Sequence, residues 1–394
     1  MGVTALLAQL QPIGRAASGG YRRFAWTDVD LALREWFAST ASAAGLSVTT
    51  DRGGNQWAWW GDPDASGPGV VTGSHLDSVP DGGAFDGPLG VASAFAAVDV
   101  LRAEQFVPSR PIGVVNFADE EGARFGVACA GSRLLTGALT AERALALTDP
   151  DGVSLADALA RAGRSARVLG RDASALGRIG VFLELHIEQG RGLIELAAPV
   201  GIATGIWPHG RWRVELPGEA NHAGTTRLAD RRDPMVSYAR LVLAARASAI
   251  RHGALATCGK VRVEPNGVNA IPSQVTGWLD ARGPATDAVR QLVAELTELA
   301  SSEGGTVAEE SWTAAVSFDT ALSDRLADLL GGVPRLATGA GHDAGVLAAS
   351  GIPAAMLFVR NPTGVSHSPT EFAEPADCEA GVTALVAALR ELAR

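Results

Sequence analysis

Cysteine is scarce in this chain, with three residues in 394, at positions 129, 258 and 378, and no C-x-x-C spacing among them. That excludes a disulfide framework and a thiolate zinc knot, and it makes a reducing cytoplasm the expected compartment. Positive charge is short as well: 33 Lys and Arg stand against 43 Asp and Glu, for a formal net charge of -10. Neither nucleic acid nor an anionic membrane would be drawn to such a chain at long range, so neither is expected as a partner. No apolar run reaches the roughly 18 residues of a membrane span, because Asp99, Arg240 and Arg246 interrupt the most apolar stretches. The N-terminal MGVTALLAQLQPIGR lacks a basic leader region and a cleavage signal, and position 6 is Leu where a myristoylation signal needs Ser or Thr. Nucleotide-binding motifs are missing too, since there is no Walker sequence and GAGHDAG (339–345) does not match G-x-G-x-x-G.

What is present is apolar material, 47% of the residues against 19% charged. The length exceeds the roughly 100–200 residues of an ordinary domain, so two domains are expected. From residue 43 to about 205, strand-like and helix-like patterns alternate: GVVTGS, PIGVVNFA and GVFLELHI read as buried strands, LREWFASTASAAGL (33–46) and LGVASAFAAVDVLRAEQ as helices. Near the C-terminus IPAAMLFV adds a buried strand and CEAGVTALVAALRELA an amphipathic helix. These predict an α/β catalytic domain on a mixed, largely parallel sheet, made of residues 1–206 and 317–394. Between them, 207–316 reads as strand, helix, strand, strand, helix, strand, which is a ferredoxin-like α+β module inserted into the first domain.

Four predicted strands end in polar clusters: GSHLD after the first, ADEEG (118–122) after the second, LHIEQG (185–190) on the third and NPTGVSHSPTE (361–371) after the last. Ligands in parallel sheets collect beyond the carboxyl ends of the strands. His75, Asp86, Glu121, His186 and His367 together supply three imidazoles and two carboxylates, a ligand mix for Zn, Mn, Co or Ni. One carboxylate bridging two ions would give a dinuclear centre able to hold a hydroxide near neutral pH. In extended chain His75 and Asp77 point the same way, so Asp77 can orient the imidazole. Gly82, Gly83 and Gly87 let the backbone turn Asp86 back towards His75. Glu120 and Glu121, being adjacent, should project to opposite sides, one ligating and the other acting as general base, although geometry does not say which. Asp81 reads as a surface residue, Cys129 as a small core residue and His252 as a helix-end or surface residue.

The order of GSHLDSVPDGGAFDGPLGV, FADEEGARFG, GSRLLTG, LELHIEQGRGL, GEANHAGTTRLADRRDP, NAIPS, LDAR, GAGHDA and SHSPTEF resembles the metal-dependent amidohydrolases of the M20 peptidase superfamily. The resemblance is to the branch that holds N-carbamoyl-L-amino acid hydrolases, allantoate amidohydrolases and β-ureidopropionases. It implies a zinc-aminopeptidase-like catalytic domain, a lid that also forms a homodimer, and two divalent ions. His75, Asp86 and His186 would hold one ion and Asp86, Glu121 and His367 the other, with Glu120 as general base and Asp77 as partner of His75. His186 stands where dipeptidases and aminoacylases of the superfamily usually carry an acidic residue, which favours ureido substrates.

The resemblance further implies that His222 reaches the site of the neighbouring subunit to stabilise the tetrahedral intermediate. Asn269 and Arg282 would bind the substrate carboxylate, and His342 is a further substrate-side candidate. Where relatives commonly read GIVGQRRYRV, this chain has GIWPHGRWRV, so a Gln near the entrance is replaced in the neighbourhood of Pro208 and His209; Trp207 and His209 either reshape the pocket or pack at the hinge, and His209 is counted among the substrate-binding candidates. Pro88 and the run Trp57, Trp59 and Trp60 are further departures. The implied reaction is hydrolysis of a linear ureido C–N bond by hydroxide held on the metals, with release of ammonia. An N-acyl or N-formyl amino acid deacylase using the same site, and a non-catalytic binding protein, are the rival readings.

Overall fold

Four buried apolar strands lie side by side and parallel in the computed structural model, which describes all 394 residues, in the order Ile112–Phe117, Gly69–His75, Ile179–Ile187, Ala354–Val359. They are enclosed on both faces, which is why they read as continuous Val, Ile, Leu and Phe runs. A nine-stranded mixed sheet is completed by antiparallel Gln56–Trp60 and then Ser47–Thr50 on one side, and on the other by antiparallel Val200–Ile206, which Val316–Ser317 and Arg335–Thr338 flank. The tryptophan run turns out to be one of these strands. Trp57 and Trp59 stack at 6.2 Å between centroids, and Trp57 meets the edge of Phe117 at 6.0 Å. They are core residues of the sheet. The short outer strands escape the sequence reading because Ser47–Thr50 is exposed throughout and carries no apolar period.

Helix Pro88–Ala103 is buried along nearly its whole length and packs with the helices Val3–Leu10 and Pro375–Leu392 over the parallel strands. Along Ile179–Ile187, Leu183, Leu185 and Ile187 enter this apolar core, so the alternation of a strand turns Glu184 and His186 to the opposite face. Helix Asp28–Ala43 begins five residues before the expected Leu33, because Asp30, which breaks the apolar period, turns inward to accept bonds from the Trp26 N–H and the Arg34 guanidinium, both at 2.9 Å.

The chain divides into two units, Met1–Gly205 with Ser317–Arg394, and Ile206–Val316. The second has a four-stranded antiparallel sheet in the order Thr306–Thr313, His209–Pro217, Gln274–Arg282, Leu255–Glu264. Its helices Pro234–His252 and Thr286–Ser302 bury Tyr238, Leu241, Ala245, Val289, Leu292 and Leu296 against that sheet. Asp233 caps the first of them by accepting the Met235 N–H, with Pro234 at the first helical position, and Gly253 closes it at φ 63°.

The packing of the first core is testable. Phe95 is 1% exposed and meets Phe37 at 5.1 Å, so Phe95→Ala should destabilise the protein by about 3–5 kcal/mol in denaturant unfolding. A change near zero would show that the helix 88–103 is not packed as described.

Candidate metal centre

His75 closes one parallel strand and His186 is the penultimate residue of its neighbour, and both are 1% exposed. Each ring turns Nδ1 to a backbone carbonyl, His75 to that of Asp77 at 3.1 Å and His186 to that of Ile187 at 2.9 Å. That pairing places the Nδ1 proton and leaves each Nε2 for a ligand. Both Nε2 atoms face Asp86 Oδ1, at 3.6 Å and 3.2 Å. The other oxygen, Asp86 Oδ2, lies 3.3 Å from His367 Nε2, and Glu121 Oε2 lies 3.7 Å from that same nitrogen. Asp86 therefore stands between two clusters, His75–Asp86–His186 and Asp86–Glu121–His367, in each of which the candidate ligand atoms all lie within 4.8 Å of one another. His186 Nε2 is buried and has no hydrogen-bond partner, an orphaned lone pair that a cation would satisfy. Imidazole and carboxylate donors without a thiolate fit Zn, Mn, Co or Ni.

The loop that returns Asp86 to His75 works by close approach as much as by turning. Gly87 has φ 84°, and a Cβ there would fall 2.4 Å from the His75 ring. Gly82 and Gly83, expected to supply the bend, have no positive φ. Asp77 has a second contact beside the imidazole it was expected to face. Its carboxylate is 3.5 Å from His75 Nδ1, while its two oxygens accept the backbone N–H groups of Glu120 and Glu121 at 3.1 and 3.0 Å. Asp77 thus holds the glutamate turn as well as facing the imidazole. That turn is not extended chain, since Asp119 before it has φ 54°, yet the two glutamates do diverge. Glu120 Oε2 comes within 3.8 Å of His75 Nε2 and its Oε1 accepts the Cys129 S–H at 3.2 Å, whereas Glu121 Oε1 accepts the Val79 N–H at 3.3 Å. Asp81 lies outside, paired with Arg22 at 2.8 Å and Ser18 at 2.5 Å.

Burial and mutual charge set the electrostatics. Burial tends to push Asp86 up, but the imidazoles of His186, His367 and His75 outweigh it and hold the carboxyl well below its ordinary range. Burial raises Glu120 well above its usual value. Burial and then Asp86 bring Glu121 up to about 7. Burial works against protonation of His75 and His186, but the surrounding carboxylates win and raise both. Bonding to Asp86 lifts His367 to about 9. Without metal the centre loads itself with protons, which is the positive charge that its carboxylates demand.

His342 joins this group: it is buried, its ring sits 4.5 Å from that of His186, and its Nε2 has no partner. The remaining expected residues belong to the second unit. Ala270 is the register partner of His222, and the Asn269 carbonyl accepts the Ala223 N–H at 3.0 Å, so His222 and Asn269 lie together at a two-stranded ribbon that follows one end of the four-stranded sheet. Arg282 and His209 are register partners at the other end, where Arg282 is paired with Asp280 and His209 Nδ1 lies 3.0 Å from the Trp207 carbonyl.

Several groups at the centre were not singled out from sequence. Cys129, read as core packing, is buried but touches Glu120. Gln189 donates to Asp86 Oδ2 at 2.8 Å and to Ser366 at 3.2 Å, and its Oε1 is buried without a partner. Glu184 is held by the Ser74 hydroxyl and the Ala344 N–H, and Asp343 by the Ser132 hydroxyl. Gln189 and Glu184 had a signal, being within three residues of His186. Asp343 had one too, directly following His342, and Cys129 had none.

A parallel sheet whose strand ends gather imidazoles around one shared aspartate defines a metal-dependent hydrolase. The chain belongs to peptidase family M20/M25/M40, whose profile matches residues 71–391, within the hydantoinase/carbamoylase branch, and it is a metal-dependent amidohydrolase. It is 37% identical to the N-carbamoyl-L-amino acid amidohydrolase of Geobacillus stearothermophilus over 98% of this chain and 97% of that one. It is 32% identical to the allantoate amidohydrolase of Bacillus subtilis, covering 99% and 97%. The crystal structure of a hydantoinase/carbamoylase family amidase from Burkholderia vietnamiensis superposes with a TM-score of 0.88 at 32% identity, covering 99% of this chain and 96% of that one.

The metal-free centre should leave a signature in stability. His75, His186 and His367 bind protons more tightly folded than unfolded, and so do Glu121 and Asp343, which burial and Glu184 raise to about 8. Their stabilising share is complete below the unfolded values and is lost as pH rises through the folded ones. His342, lowered by burial, opposes this only below its ordinary 6.5, and Asp86 only below 3.8. The Tm of metal-free protein should therefore fall from pH 6.5 towards pH 9, and a divalent ion should remove the slope, because its ligands bind deprotonated. A flat metal-free profile would contradict the proton loading.

Proposed function

We propose that this chain hydrolyses a linear ureido C–N bond, in an N-carbamoyl-L-amino acid or allantoate, using two divalent ions and Glu120 as general base. The observation that carries this reading is the split of Asp86 between two ligand clusters, with Glu120 beside them and outside both. Ions held by His75, Asp86, His186, Glu121 and His367 would polarise the ureido carbonyl and make a water nucleophilic near neutral pH. Glu120 takes the proton of the attacking water and passes it to the leaving nitrogen, and the carbamate that results breaks down, so that the ureido group ends as ammonia and carbon dioxide beside the free amino acid or, from allantoate, ureidoglycine. Bound cations beside Glu120 oppose the burial that raises its carboxyl, so it acts as a carboxylate. The ureido preference rests on His186 in place of an acidic residue and on relatives named for N-carbamoyl amino acids and allantoate.

We read the second unit as a ferredoxin-like lid that also forms the homodimer. Its order of fourth, first, third and second strand supports the first part. The ten-residue edge strand Leu255–Glu264, with Leu255 and Val261 exposed, and the stripe Val236, Leu243 and Ile250 at seven-residue spacing on helix Pro234–His252 support the second. His222 and Asn269 lie at the two-stranded ribbon that follows the Pro217–Gln274 end of the four-stranded sheet, and Arg282 and His209 close the other end, roughly 25 Å of strand away at about 3.3 Å per residue. Residues that far apart meet on one small substrate only if they come from different copies. His222 is then assigned to stabilising the intermediate in the neighbouring copy, Asn269 and Arg282 to the substrate carboxylate, and His342 to the substrate side.

Ammonia release from allantoate, N-carbamoyl-L-amino acids and N-carbamoyl-β-alanine, and formate release from N-formylglutamate, with Zn, Mn, Co and Ni in turn, test the reaction. Activity confined to the formyl substrate would replace the ureido reading with a deacylase. Glu120→Gln should lower kcat by about 100- to 10,000-fold while metal content stays at wild-type level. Inactive Glu120→Ala and His222→Ala forms, mixed and re-dimerised, should recover roughly a quarter of wild-type activity if each site draws on both copies. Proven heterodimers with no recovery would exclude sharing.

A further inference from the structure

Glu371 is 5% exposed, has no ion-pair partner, and belongs to neither ligand cluster. Its Oε2 accepts the backbone N–H groups of Phe85 and Asp86 at 2.9 and 3.0 Å. Its Oε1 is 2.9 Å from the Ser366 hydroxyl, which also lies 3.2 Å from Asp86 Oδ2. The fit is close, since a Cβ at Gly83 would fall 2.2 Å from Glu371 Oε2. One buried carboxylate thus ties the loop that carries Asp86 to the loop that carries His367.

The two ligand clusters differ in what supports them. His75 and His186 stand on adjacent elements of the sheet, with their rings fixed by backbone carbonyls. His367 stands on a loop, with φ 54° and a side chain 52% exposed, and the turn after it closes through the Glu371 N–H to the Ser368 carbonyl at 3.1 Å. A residue in the left-handed region persists only where its surroundings over-determine it. We propose that Glu371 is a positioning residue for the ion held by Asp86, Glu121 and His367, fixing the Phe85–Asp86 backbone against the His367 turn, so that the loop-borne half of the centre depends on it and the strand-borne half does not. This rests on the two-ion reading above, and a separable test exists.

Metal-free wild type, titrated calorimetrically with Zn2+ and separately with Mn2+, should bind two ions. Glu371→Ala should weaken one step by about 10- to 100-fold, the step that His367→Ala also removes, while the step removed by His186→Ala stays near its wild-type affinity. Glu371→Gln keeps an acceptor oxygen for the two N–H groups and should restore most of the lost affinity. Ser366→Ala should weaken the same step more mildly, which keeps the test open if Glu371→Ala does not fold. Wild-type isotherms for these variants, equal weakening of both steps, or a fall in metal-free Tm with unchanged isotherms would overturn the role of Glu371. Wild type binding fewer than two ions would instead overturn the two-ion reading.

Discussion

Carboxylates buried side by side repel one another and lose hydration, and a site that gathers Asp77, Asp86, Glu120, Glu184, Asp343 and Glu371, each 6% exposed or less, has to answer that cost. Three answers recur. Backbone N–H groups saturate the oxygens: those of Glu120 and Glu121 serve Asp77, those of Phe85 and Asp86 serve Glu371, and that of Ala344 serves Glu184. Side-chain hydroxyls, from Ser74, Ser132 and Ser366, take others. The remaining charge is met by three imidazoles converging on Asp86. The short loops, the glycine against the His75 ring and the left-handed Asp119 and His367 all serve this convergence.

The same demand explains the chemistry. A pocket that must hold positive charge takes protons when it has nothing else, and divalent ions compete for the same nitrogens and oxygens. Asp86 faces two candidate ligand clusters because its two oxygens point to different partners, His75 and His186 from Oδ1 and His367 from Oδ2. Glu120 keeps a distinct part by lying near His75 and Cys129 but outside both ligand clusters.

Much of the centre was legible along the chain because parallel strands are buried on both faces. An apolar run that ends in His, Asp or Glu has only one place to send them, beyond its carboxyl end, and His75, Glu121, His186 and His367 each follow such a run. The parts that escaped have no such grammar. Cys129 lies in a loop and reaches Glu120 from nine residues away in sequence, and Glu371 reaches Asp86 across 285. Gln189 was adjacent to a legible residue, but its amide contacts depend on where Asp86 and Ser366 are brought. Edge strands were lost for a simpler reason, since Ser47–Thr50 buries nothing and so leaves no periodic trace.

The sequence by itself determined the class of fold, the ligand types and the family, because apolar periodicity, donor chemistry and motif order are properties of the chain read in line. Only the tertiary structure decided which oxygen of Asp86 faces which imidazole, that Asp77 grips the glutamate turn, and that Glu371 joins two loops far apart in sequence. It also put His222 in a two-stranded ribbon of its own, apart from the four-stranded sheet that pairs Arg282 with His209. These are distances between residues remote along the chain, and distance of that kind exists only after the strands have paired.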